Sequence, residues 1–123
     1  MRLSLRTFAC IAAVSVAPLL PSQSARAEGY PAMHWGAMEL QTSVNNCVGR
    51  ARKAFSDAGL RDTQQSGWQA YGTKGSAAVL VSCSALANNH SYLVVVGSSP
   101  DSKAAELLRN DIRTRIAKMR EFD

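Results

Sequence analysis

The sequence is poor in the residues that most catalytic and metal chemistry depends on. It holds two histidines and three cysteines in 123 residues, and none falls in a Cys-x-x-Cys or His-x-x-x-His pair. Those spacings set two donors on one side of a turn or helix. A zinc site from Cys47, Cys83, His34 and His90 therefore has no support, and neither does a thiol–disulfide oxidoreductase. There is no Gly-x-Ser-x-Gly elbow, no P-loop and no dinucleotide fingerprint, so no cofactor is expected. Charged residues make up only 19% of the chain, with no block of one sign and no low-complexity stretch, which excludes a disordered acidic or basic tail. No apolar run reaches the ~20 residues of a membrane-spanning helix.

The longest mostly apolar stretch, Phe8 to Leu20, lies in what reads as a secretory leader, Met1 to Ala27. Arg2 and Arg6 supply its positive start, and Ala25-Arg26-Ala27 has the small-x-small pattern of a cleavage site. Pro18 and Pro21 would break a spanning helix there. Thr7-Phe8-Ala9-Cys10 is a poor lipobox, and it stands at the start of the apolar stretch instead of after it, the wrong place for a lipoprotein signal. The pattern is of bacterial type, so the expected location is periplasmic or secreted, with cleavage after Ala27. Three of the 14 basic residues leave with the leader and all nine acidic ones stay, which takes the net charge from +5 to +2. Nucleic acid is therefore not an expected partner.

Cleavage also removes Cys10. Cys47 and Cys83 then remain in a small exported domain, and an intramolecular disulfide is the simplest outcome. A loop of 36 residues would be closed. The chain-entropy model gives that closure about 4 kcal/mol, against a total stability of about 5–15 kcal/mol.

Residues 28–123 read as one small α+β domain. His34 to Leu40 alternates, with Met38 and Leu40 on one side and Trp35, Ala37 and Glu39 on the other, suggesting a short strand. Thr42 or Ser43 caps a helix whose Val44, Cys47, Val48, Ala51, Phe55 and Ala58 recur at helical spacing, with Asn45, Arg50, Lys53 and Asp57 facing away. Gly59 ends it and Leu60 folds back. Arg61 to Ser66 reads as a polar loop. Gly67 to Thr73 and Ala77 to Ser84 read as strands joined by a turn, with Gly67, Gly72 and Gly75 as hairpin punctuation. Tyr92 to Gly97, apolar on both faces, should be a central strand. Ser98 or Ser99 then caps a second helix with Pro100 in its first position. Ala105, Leu107, Leu108, Ile112, Ile116 and Met119 form its apolar stripe.

The order (β)αβββα predicts a two-layer α+β sandwich, a three- or four-stranded antiparallel sheet with both helices on one face. Cys47 on the helix stripe and Cys83 on the face shared with Val79 and Val81 then point into the same layer. The order and size resemble acylphosphatase-like sandwiches, but the arginine-bearing phosphate loop of those enzymes is missing, so nothing carries over from them.

Four aromatics, Trp35, Trp68, Tyr71 and Tyr92, sit on or near strands. Some of them must lie on the sheet face away from the helices, where they would form a binding surface. His34, His90, Arg109 and Arg113 are the weaker candidates: isolated loop and strand histidines, and helix arginines spaced to share a face with Arg120. These features favour a small exported, disulfide-stapled binding or accessory domain acting through its surface, on an envelope protein, a glycan or a second copy of itself. The alternative is a small nuclease-like hydrolase using a loop histidine with helix arginines.

Overall fold

A computed structural model describes residues 30–119. Residues 1–27, read from the sequence as a leader, and Arg120 lie outside the described residues. The element order is β1 (Ala32–Leu40), α1 (Val44–Asp57), β2 (Arg61–Ser66), β3 (Gln69–Lys74), β4 (Ala77–Ala85), a 3-10 turn (Ala87–Asn89), β5 (Ser91–Ser99) and α2 (Ser102–Lys118). The fold is α+β. The sheet is antiparallel throughout, but it has five strands, in the order β1-β5-β4-β3-β2, where three or four were expected.

The extra strand is β2, read from sequence as a loop. All six of its residues are exposed, so it lacks the apolar alternation that marks a strand. Its pairing is set by the turn instead. Gly67 and Trp68 form a two-residue loop between Ser66 and Gln69, with Gly67 at positive φ in the first central position. Gly75 does the same in the loop between Lys74 and Ala77. Both have the glycine-first pattern of a II′ hairpin, whose twist matches that of the strands. The third glycine, Gly72, is not turn punctuation. It lies within β3, where a Cβ would come within 2.8 Å of the Leu60 side chain.

The helices form as their spacing predicts, with local corrections. Ser43 caps α1, its hydroxyl accepting from the Asn46 N–H at 3.2 Å. At the other end the Leu60 N–H donates to the Phe55 carbonyl and the Gly59 N–H to the Ser56 carbonyl, a Schellman closure with Gly59 at φ +73°. In α2 the cap is Asp101, whose carboxylate accepts from the Lys103 N–H; Ser98 and Ser99 belong to β5, and Pro100 precedes the helix. The Ser99 hydroxyl accepts from the Asp101 N–H instead, holding the strand-to-helix corner. Two side chains depart from the expected faces. Arg50 is buried at the margin of the α1 stripe, whereas Leu107 is left exposed.

Both helices pack on one face of the sheet, α2 over β1, β5 and β4 and α1 over β4 and β3. Between the layers lie Val48, Ala51, Phe55, Val79, Val81, Leu93, Val95, Leu108, Ile112 and Ile116. Cys47 and Cys83 are bonded across them, α1 to β4. The close approach of α2 is set by Gly97, where a Cβ would stand 2.3 Å from the Ala105 carbonyl oxygen. β5 runs between β1 and β4, as its apolar composition on both faces requires.

Candidate functional site

With both helices on one side, the other side of the sheet has no covering layer among the described residues. The strand register fixes what lies there. One row runs across all five strands: Trp35, Val96, Leu80, Tyr71, Gln64. On one side of it lie Met33, Ser98, Ala78, Thr73 and Arg61, and on the other Ala37, Val94, Ser82, Gln69 and Ser66. Beyond these, Glu39 is opposite Tyr92, and Tyr92 opposite Ser84. Trp35 is 70% exposed, Met33 66%, Tyr92 42% and Tyr71 40%, with Val94, Val96 and Leu80 half-buried between them. Charge in these rows falls at two opposite corners: Glu39, with His90 Nδ1 3.0 Å away, at one, and Arg61 at the other, where the Thr73 hydroxyl also donates to the Asp62 carboxylate at 3.3 Å.

The fold therefore brings together three of the four sequence-selected aromatics, Trp35, Tyr71 and Tyr92. Trp68 is placed differently. It sits at the tip of the β2–β3 turn, half exposed, its carbonyl accepting from the Cys83 N–H. Val96, Leu80 and Val94, not singled out from sequence, fill the space between the aromatics. For Val94 and Val96 the signal was the double-sided apolar pattern of the last strand, which does not say that one face stays open; Leu80, on β4, breaks the alternation of that strand with an apolar residue on its outer face.

The candidates for an active site are dispersed. His34 Nε2 shares a hydrogen bond of 2.9 Å with the Ser102 hydroxyl at the start of α2, on the helix side of the sheet. His90 Nδ1 is 3.0 Å from Glu39 Oε1, beside the 3-10 turn at the far end of β1. Five residues of extended chain separate Glu39 from His34, roughly 17 Å at ~3.3 Å each, so the histidines cannot act on one bond. Arg109 and Arg113 also do not converge on a ligand site. Arg109 donates to the Trp35 carbonyl at 2.9 Å and Arg113 to the Ala37 carbonyl at 3.4 Å. They lie over Gly36, whose Cβ, if present, would be 3.0 Å from an Arg109 nitrogen. Their chemistry is to cover the polar edge of β1. Arg115 is paired with Asp111 at 2.8 Å, as the i,i+4 spacing predicts. The exposed Glu106 carboxyl is held below its usual range, chiefly by the hydrogen bond and charge of Lys103.

A groove lies between α1 and β2, lined by Arg52, Lys53, Phe55, Leu60, Thr63 and Gln65. It is open to solvent, and Lys53 is engaged by Asp57 at 3.0 Å. Among the described residues no group of three or more His, Cys, Asp or Glu could hold a metal ion. No protein-family model matches the chain, and no curated protein matches it in sequence.

Proposed function

We propose that this is a small exported binding domain whose working surface is the helix-free face of the sheet. The observation that carries the reading is the row Trp35–Val96–Leu80–Tyr71, apolar, exposed at its ends and flanked by Val94, Ala37, Ala78 and Met33. Solitary exposed apolar residues are ordinary on any protein, but a contiguous patch is characteristic of a contact surface. Export is supported by the leader-like residues 1–27 and by the Cys47–Cys83 bridge, which suits an oxidising compartment. No helix among the described residues is long and apolar enough to cross a membrane.

The character of the face favours a protein partner over a glycan. Sugar recognition needs hydrogen-bonding groups beside the stacking ring, whereas Trp35, the most exposed ring of the face, is bordered by Val96, Met33 and Ala37; the polar Gln64, Gln69 and Thr73 stand around Tyr71, three strands away. The test is photo-crosslinking in the cell envelope from a benzoylphenylalanine at Ser82, in the middle of the face, against one at exposed Asn110 on α2. Adducts from position 82 and none from 110 are the expected result. No adduct from 82, or equal labelling from both, would overturn the reading.

A further inference from the structure

Both edges of the sheet carry features that disfavour lateral growth. On β1 the Trp35 and Ala37 carbonyls are taken by Arg109 and Arg113. On β2 the strand is polar throughout, and its register shifts between Arg61 and Gln64, with Asp62 at φ +51°. Bulges and charged cover are the devices that keep edges from pairing. These features favour the face over the edges as the place for a partner.

We infer that the occupant of that face is a second copy of this chain, the two sheets packing as a β-sandwich across the dimer interface. This rests on the face being the working surface, and adds who covers it. Its area is in the right range: strands ~4.8 Å apart and side chains ~6.8 Å apart along a strand make a rectangle of roughly 24 by 25 Å. That is about 600 Å² of plane per copy, enough to bury more than ~1,000 Å² in total once side-chain relief is counted, the lower bound of a specific interface.

The face is also self-complementary. Glu39 and Arg61 stand at diagonally opposite corners, Glu39 on β1 in the row of Tyr92 and Arg61 on β2 in the row of Thr73. A two-fold axis in the interface plane, perpendicular to that diagonal, exchanges the two corners. It sets Glu39 of each copy over the corner of the other that holds Arg61, with Asp62 beside it. The same operation carries Trp35 over the small Ser98 and Ala78 of the second copy, and Tyr71 over its Val94 and Ser82. Bulky side chains thus meet small ones, and the two sheets cross at a steep angle, the orthogonal mode of sheet packing.

Sedimentation velocity of the exported protein over a wide concentration range tests this. The expected result is a reversible dimer with a dissociation constant in the micromolar range, as suits a small interface. Leu80→Glu should weaken it about 100-fold, since a central contact is lost twice by symmetry. Trp35→Glu, at a residue too exposed to affect folding, should act in the same direction. Leu107→Glu, on the exposed side of α2, should change nothing. Glu39→Arg should weaken the dimer, and adding Arg61→Glu should restore it. A protein that stays monomeric throughout, or a dimer indifferent to Leu80→Glu and Trp35→Glu, would overturn the inference. Crosslinks from position 82 to a different protein, with no self-adduct, would also overturn it while leaving the binding face in place.

Discussion

Replacing Gly97 by alanine should destabilise this domain far more than one added methyl ordinarily does. The new Cβ would stand 2.3 Å from the Ala105 carbonyl oxygen, 3.0 Å from Arg109 Cβ and 3.2 Å from the Ala105 carbonyl carbon. None of these is the end of a flexible side chain, so α2 as a whole has to lift by about 1 Å. Lifting it loosens Leu108, Ile112 and Ile116, which close the layer over Leu93 and Val95. Overpacking of this kind costs about 1–3 kcal/mol, and a backbone obstruction belongs at the upper end. For a domain this size the melting temperature should fall by roughly 10–20 °C. Gly36→Ala is the matched control. Its Cβ would also face α2, but the nearest atom, at 3.0 Å, is an Arg109 guanidinium nitrogen that can swing aside. Thermal unfolding followed by circular dichroism reads both. Equal, small shifts for the two variants would refute the claim that Gly97 sets the distance between helix and sheet.

Two further perturbations bear on the same layer. Removing the bridge as Cys47→Ala/Cys83→Ala frees a 36-residue loop and should cost about 4 kcal/mol, lowering the melting temperature by roughly 15–30 °C; a fall of only a few degrees would show that the staple contributes little. Arg109→Ala should expose the Trp35 carbonyl, cost about 1 kcal/mol and speed amide exchange in β1 relative to β4, with unchanged β1 protection as the contrary result.

Much of the fold is legible in the residues because periodicity reports burial. The stripe Cys47–Ala51–Phe55 and the alternation Val79–Val81–Cys83 each point to a common interior, and the disulfide joins them as both patterns require. β2 escaped that reading because its six exposed residues carry no burial signal; turn glycines and hydrogen bonds alone hold it in the sheet. Gly72 misled for a related reason, since its role is to make room for Leu60, a contact between segments that local sequence does not encode. Arg109 and Arg113 read as a cationic face because helical spacing puts them side by side. Only the sheet order, which makes β1 an edge, shows that its carbonyls need them. The aromatic surface was half visible: the residues could be named, but their grouping depends on register, and register placed Trp68 in a turn.

The most direct measurement follows the emission of Trp35 alone, in a Trp68→Phe protein that keeps one of the two tryptophans. In dilute solution this indole should emit at long wavelength and be quenched freely by acrylamide, because the side of the sheet it stands on has no cover among the described residues. As the protein is concentrated, quenching should fall and the emission shift to shorter wavelength. Emission that is already blue and protected in the dilute monomer would contradict the account, since the face would then be closed within the chain itself.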